Sequence, residues 1–143
     1  MSDSLKGSAM RVEDALRAAN MPRDVVEYYR ARGRLGEEIA PPSDEVVRGL
    51  AELLKCLANP TRLKLVALLR RPHCVCVLSS ALGLDMTLTS HHLARLRRCG
   101  LARTEPSARA RVYERDDEAL RRLVAELLDV LSVRLGELSA GSG

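Results

Sequence analysis

The 143-residue chain contains no phenylalanine and no tryptophan, and its only aromatic side chains are Tyr28, Tyr29 and Tyr113. A core must therefore be assembled from Leu, Val and Ala. Leu and Ala are strong helix formers, whereas aromatic and β-branched residues are the strand formers, so the composition favours a mostly helical fold. Long apolar runs are missing too. No stretch approaches the roughly 20 residues needed to cross a bilayer, and the opening MSDSLKGSAMRVEDAL lacks the apolar segment of a secretory signal. These absences lead to the expectation of a soluble, cytoplasmic protein with no membrane partner. Catalytic signatures are also lacking. The chain has no phosphate-cradling glycine loop, no nucleophile elbow and no His-Glu-x-x-His pattern, and His73, His91 and His92 suggest no catalytic site. An enzyme is the least supported class, and no organic cofactor is expected.

What is present suits one compact domain with appendages: 46% hydrophobic and 29% charged residues. Residues 1–40 form a separate extension ending at Pro41-Pro42, which would break any helix running through them. Two short helices are expected in it, Ala9 to Asn20 and Asp24 to Arg32. Its function is unknown, and it reads as a packing arm rather than a partner-binding module. The main domain is expected over 43–138, followed by a flexible tail at 139–143. Ser43, with Asp44 and Glu45 after it, marks a capped helix start. Val46, Leu50, Leu53, Leu54 and Leu57 then share one helical face. A second helix restarts at Asn59-Pro60-Thr61 and is expected to run until Pro72.

A short apolar helix from Val75 to Leu82 is closed by Gly83, and a second helical pattern runs from Thr87 to Cys99 with Thr89, Leu93 and Leu96 inward. Two helices around a glycine-containing turn make a helix-turn-helix. Leu101 to Thr104 and Arg111 to Glu114 read as strands of a hairpin around a turn at residues 106–110. The expected fold is thus mostly α with a small β-hairpin, a winged helix-turn-helix. A last helix begins at Asp117, with Leu120, Val124, Leu127, Leu131, Leu135 and Leu138 at spacings of three and four. One small domain cannot cover all of those leucines, so Leu120, Val124, Leu127 and Leu131 are expected to bury against a second copy in a homodimer.

Between Asp85 and Arg115 seven arginines face three acids, which accounts for the whole net charge of +4. The excess sits on the second helix of the helix-turn-helix and on the hairpin, the surfaces that would meet a phosphate backbone. On a helical projection Thr87, Ser90, His91, Ala94, Arg95 and Arg98 form one outward stripe. Thr87, Ser90 and His91 are expected to touch bases, because the N-terminal end of such a helix enters the major groove. Arg95 and Arg98 are assigned to phosphates, and Arg109 and Arg111 to backbone or minor-groove contacts from the wing. His92 falls at the edge of the buried face, where packing and DNA contact compete. The expected partner is a double-stranded DNA operator.

Four cysteines remain: Cys56, Cys74, Cys76 and Cys99. In a reducing compartment they are expected to be thiols rather than a disulfide framework. The segments CLANPTRLKLVALL, HCVCVLSSALGLDMTLTSHHLARLRRCGLA and RVYE resemble the ArsR/SmtB family of metal-responsive repressors, from about Leu50 to Leu131. The resemblance implies a dimeric winged helix that holds operator DNA without metal and releases it when metal binds. In the arsenic- and cadmium/lead-sensing branches the metal-binding helix carries Cys-Val-Cys, here Cys74-Val75-Cys76. Soft thiolates select trivalent arsenic, cadmium, lead or zinc over magnesium and calcium. Thiolates at i and i+2 diverge on a regular helix, so one ion bridges them only where the backbone is extended or at a helix's first turn.

The chain departs from the better-known sensors in three ways. Ser79 stands where the three-thiolate arsenic type has a further cysteine, no cysteine precedes Cys56, and no His lies on the last helix. Two thiolates alone make an incomplete site, with Cys56, Cys99, His73 or a residue of the other subunit open as a third ligand. Packing is the expected role of Cys56 and Cys99. Two readings compete with a metal-released repressor: a redox-switched or ligand-independent winged-helix regulator, and a winged-helix protein-interaction module without DNA binding.

Overall fold

The computed structural model describes residues 7–105 and 111–136. The chain divides into two units, Met1–Val47 and Arg48–Gly143. In the first, β1 (Met10–Arg11) leads into α1 (Val12–Ala18), followed by α2 (Arg23–Ala31) and β2 (Glu38–Ile39). The strands pair antiparallel, Met10 opposite Ile39 and Arg11 opposite Glu38. This ladder is absent from the sequence expectation, which ran the first helix from Ala9 to Asn20. Met10 and Arg11 leave the helix because their backbone groups are taken by β2. Pro22, extended at ψ 160°, starts α2, where its missing N–H is harmless. The guanidinium of Arg32 covers the Tyr28 ring at 3.8 Å, and Tyr28 meets Tyr29 edge-on at 5.3 Å.

The division between the units falls within α3 (Asp44–Leu57). The second unit continues with α4 (Pro60–Leu68), β3 (His73–Cys74), α5 (Val75–Leu82), α6 (Met86–Arg98), β4 (Ala102–Thr104), β5 (Val112–Arg115) and α7 (Asp117–Leu131). Side chains start three of these helices. The Asn59 side chain accepts from the Arg62 amide at 3.1 Å, Asp85 Oδ1 from Thr87 and Leu88 at 2.7 and 3.1 Å, and Asp116 from Ala119 at 3.0 Å. Each satisfies donors that the first turn leaves free. The helix expected to reach Pro72 ends at Leu68. Pro72 restricts the residue before it, and His73–Cys74 is drawn into a sheet.

That sheet has the order β3-β5-β4, antiparallel throughout. Two strands match the expected hairpin, and β3 adds a third outside the sequence reading. The turn at 106–110, with Arg109 in it, lies outside the described residues, as do Leu138 and the 139–143 tail. Tyr113, in the central strand, is buried against Leu65, Leu69, Leu78, Leu93, Leu96, Leu101 and Leu123 in a core otherwise built of aliphatic side chains and Cys56. Gly83 takes a left-handed φ of +63° to close α5. There the buried Ser79 hydroxyl donates to the Leu84 carbonyl, and the Leu84 amide returns to Ser79 O at 3.0 Å. Ser79 is therefore a turn fastener. The result is mostly helical with a small antiparallel sheet, a winged helix-turn-helix in which α5 and α6 form the two-helix element.

Candidate DNA interface and thiol site

Helix α6 buries Thr89, Leu93 and Leu96, the three positions expected inward. The opposite side leaves Thr87, His91 and Arg98 exposed and Ser90, Ala94 and Arg95 half-buried, so the whole predicted stripe lies on the accessible side. Two large apolar side chains join it. Met86 and Leu88 at the start of α6 are 53% and 44% exposed. The sequence projection had no place for Met86, because it began the helix one residue later.

The structure sorts the arginines that a charge count treats alike. Arg103 is held by Glu114 at 2.7 Å and Asp116 at 3.6 Å, and the Glu114 bond raises its pKa further above the usual range. Arg115 reaches Asp117 at 2.6 Å and donates to the Val66 carbonyl at 3.1 Å, so it ties the sheet to α4. Arg95, Arg97, Arg98 and Arg111 have no ion-pair partner among the described residues. Arg97, Arg98 and Arg111 line one cleft of about 450 Å³ between α6 and the wing, together with Ala94, Thr104 and Tyr113. Arg97 was not among the sequence candidates. Its signal is tertiary, since only the position of the wing makes that side of α6 part of a basic cleft.

His92 is half-buried and meets Arg62, whose Nη1 lies 3.3 Å from His92 Nδ1. Arg62 also donates to the Cys56 and Lys55 carbonyls at the end of α3, at 2.5 and 3.3 Å. Burial first, then the charges of Arg62 and His91, holds His92 below the usual histidine range. The neutral ring then accepts from Arg62. His92 is thus a joint between α4 and α6.

The cysteines differ from expectation. In place of four thiols, Cys56 is bonded to Cys99 and Cys74 to Cys76, with no free cysteine among the described residues. The reason is tertiary for the first pair, where α3 and the end of α6 meet with Cα atoms 6.7 Å apart. For the second it is local. Cys74 caps α5 in extended conformation, φ −75° and ψ 156°, and Cys76 stands in the first helical turn. This is the backbone arrangement that lets thiolates at i and i+2 share one thiophilic ion, so the residues present fit such a group. The third ligands considered from sequence do not join them. Cys56 and Cys99 are engaged with each other, His73 precedes Cys74 in a strand where successive side chains alternate faces, and no cluster of three or more His, Cys, Asp or Glu occurs among the described residues. Cys74, Cys76 and Val75 instead line a largely apolar cleft of about 370 Å³ with Met86, Ser90 and Arg111.

On α7, Leu123 is buried, and Leu120 and Leu127 pack partly on the core. Val124 and Leu131 remain 46% and 59% exposed, so part of the leucine face is unsatisfied within the described chain. No helix among the described residues is long and apolar enough to cross a membrane.

Residues 59–104 match the bacterial regulatory protein family described as the arsR family. The chain is 36% identical to the HTH-type transcriptional repressor SmtB of Mycobacterium tuberculosis over 88 residues, 61% of this chain and 65% of that protein. It therefore spans slightly less than two thirds of SmtB. It is 35% identical to the HTH-type transcriptional regulator NmtR of the same organism over 91 residues, 63% of this chain and 72% of NmtR. Among solved structures it is similar to a homodimeric winged helix-turn-helix DNA-binding domain from Mycobacterium bovis, a possible ArsR-family regulator. That likeness has 28% identity and a TM-score of 0.51, covering 68% of this chain and 94% of that one. With its helix-turn-helix, three-stranded wing sheet and relatives of this kind, the chain belongs to the ArsR family of bacterial transcriptional regulators, which is not a family of enzymes.

Proposed function

We propose that the protein is a cytoplasmic, homodimeric repressor that holds an operator through α6 and the wing and is released from it through Cys74 and Cys76. The observation that carries this reading is the placement of the dithiol at the first turn of α5, in one cleft with Met86 and Ser90 of α6 and Arg111 of the wing. In the DNA-bound state Thr87, Ser90 and His91 reach base edges, and Arg95, Arg98, Arg109 and Arg111 hold phosphates, with Arg97 beside them. Pairing of two chains through Leu120, Val124, Leu127 and Leu131 buries the exposed leucines and sets two reading helices about one turn of DNA apart.

A thiophilic metal or metalloid such as trivalent arsenic, cadmium, lead or zinc supplies soft Lewis acidity toward two thiolates. Cys74 and Cys76 then lock the start of α5, and the Ser79–Leu84 fastening passes that constraint to the start of α6. A hundredfold loss of operator occupancy needs about 2.7 kcal/mol of preference for the released shape. The Cys74–Cys76 bond favours a second reading, in which formation of that disulfide is itself the releasing event.

The test is operator binding by the reduced protein with and without arsenite, cadmium and zinc, and with hydrogen peroxide, repeated on Cys74→Ser/Cys76→Ser. Release by a metal that vanishes in the double variant supports the first reading, and release by peroxide alone supports the second. A response that survives the double variant removes the site from the mechanism. Arg95→Ala with Arg98→Ala should weaken binding and flatten the salt slope by up to about 1.8, some 0.9 for each phosphate no longer neutralised. Unchanged affinity would leave the protein-interaction reading in place.

A further inference from the structure

The reading helix carries two apolar side chains that its hydrogen-bonding stripe does not explain. We propose that Met86 and Leu88 are specificity-determining residues that read the C5-methyl groups of two thymines in the operator. The inference rests on the DNA-binding reading above and names the base feature that the start of α6 selects.

Met86 and Leu88 are 53% and 44% exposed, and neither is among the side chains that build the core or pack against it. Folding gains little from them, and their contact with water is unfavourable. They stand in the first turn of α6, the end of such a helix that meets base edges. Hydrogen bonds fix that turn. Asp85 Oδ1 accepts from the Thr87 and Leu88 amides at 2.7 and 3.1 Å, and Thr89 Oγ1 donates to the Asp85 carbonyl at 2.9 Å. With about 100° of rotation per residue, Thr87 lies midway between Met86 and Leu88, so these two occupy opposite flanks of the outward stripe. Met86 takes the flank toward the wing, where it shares a cleft with Ser90 and Arg111. Leu88 takes the other flank, one turn before His92 and two before Arg95.

Charge identifies the occupant. Arg95, Arg97, Arg98 and Arg111 surround the apolar pair and have no ion-pair partner among the described residues. A protein covering this face would have to supply an acid for each, whereas a duplex supplies phosphates along both walls of its groove. Within the major groove, thymine alone among the bases presents an apolar group, its C5-methyl, beside hydrogen-bonding atoms. The separation of the two flanks assigns the two side chains to different thymines. Met86 meets its methyl with a flexible thioether and Leu88 with a branched aliphatic group, and each contact is worth about fourfold in affinity.

The experiment uses the full-length reduced protein, without metal, and a duplex that it selects from a randomised library. Each thymine of the selected site is replaced in turn by deoxyuridine, which removes the methyl and keeps every hydrogen-bonding group. The expected result is two thymines in each half-site at which the replacement weakens binding about fourfold. Met86→Ala should abolish the penalty at one of them and keep it at the other, and Leu88→Ala should do the reverse. Both side chains are exposed, so neither truncation opens the core. Met86→Leu, which keeps an apolar contact, should retain most of the penalty. No preferred site, no methyl-sensitive thymine, or a sensitivity unchanged in both alanine variants overturns the proposal. The DNA face survives that outcome if Arg95→Ala with Arg98→Ala still weakens binding. Should the paired arginine variant bind as the parent does, the DNA-binding reading falls and the proposal falls with it.

Discussion

The two cysteine pairs have the same bond and opposite settings. Cys56 is fully buried in α3, and Cys99 caps α6; they are 43 residues apart in sequence, and Arg62 and His92 join the same two regions beside them. Cys74 and Cys76 are two residues apart at the accessible start of α5, facing a cleft. A cross-link removes freedom from the unfolded chain in proportion to the logarithm of the loop it closes, so the first pair is placed to hold the fold and the second is not. Reactivity runs the other way, since access is needed for ligand or oxidant. One region is a joint and the other a mouth.

The sharpest way to break this contrast is to remove each pair in turn. Without reductant, Cys56→Ala/Cys99→Ala should cost up to about 4 kcal/mol of unfolding free energy by the loop-entropy relation, and Cys74→Ser/Cys76→Ser roughly a third of that or less. Urea denaturation measures both. Operator release by inducer should show the reverse order, abolished in the second variant and kept in the first. If the joint variant loses its inducer response, the two regions are one device. A smaller effect tests the frame of the mouth. Asp85→Ala removes the cap that starts α6 and should lower stability by about 1 kcal/mol, with operator affinity falling more than inducer affinity.

The smallest expected effect concerns the joint and pH. His92 is depressed below its ordinary value of 6.5, so the unfolded chain takes up that proton first. Its contribution to stability is complete above pH 6.5 and is lost as pH falls through the folded-state value. Denaturation midpoints measured from pH 7.5 to pH 5 should therefore fall more steeply for the parent than for His92→Gln. Parallel curves would remove His92 from the joint.

Much of the second unit was legible before any coordinates. Gly83 and Asn59-Pro60 act at helix ends by local chemistry, and Thr89, Leu93 and Leu96 face inward because periodicity requires it, whereas the caps Asp85 and Asp116, equally local, were not among the sequence expectations. The inward Leu123 was missed, because α7 offers more leucines than one face can bury and sequence spacing does not say which of them meets the core. The strands β1, β2 and β3 were missed for a related reason. Each has two residues, too few for an alternating pattern, and each exists only through pairing with a partner distant in sequence.

At the candidate site the outward stripe of α6 was readable, as was the need for an extended residue ahead of a helix for Cys74 and Cys76 to share a ligand. The division of the arginines was not. Whether Arg103 pairs with Glu114 while Arg97 has no ion-pair partner among the described residues depends on the strand register and on the position of the wing.

By itself, then, the order of residues determined the helices, their caps, the inward face of α6 and the local geometry of Cys-Val-Cys, because each follows from interactions within a turn or two of chain. Tertiary structure alone decided the Cys56–Cys99 junction, which arginines lack an ion-pair partner among the described residues, and the apolar wall that Met86 lends to the thiol cleft. Those depend on distances between groups far apart in sequence, which spacing along the chain does not encode.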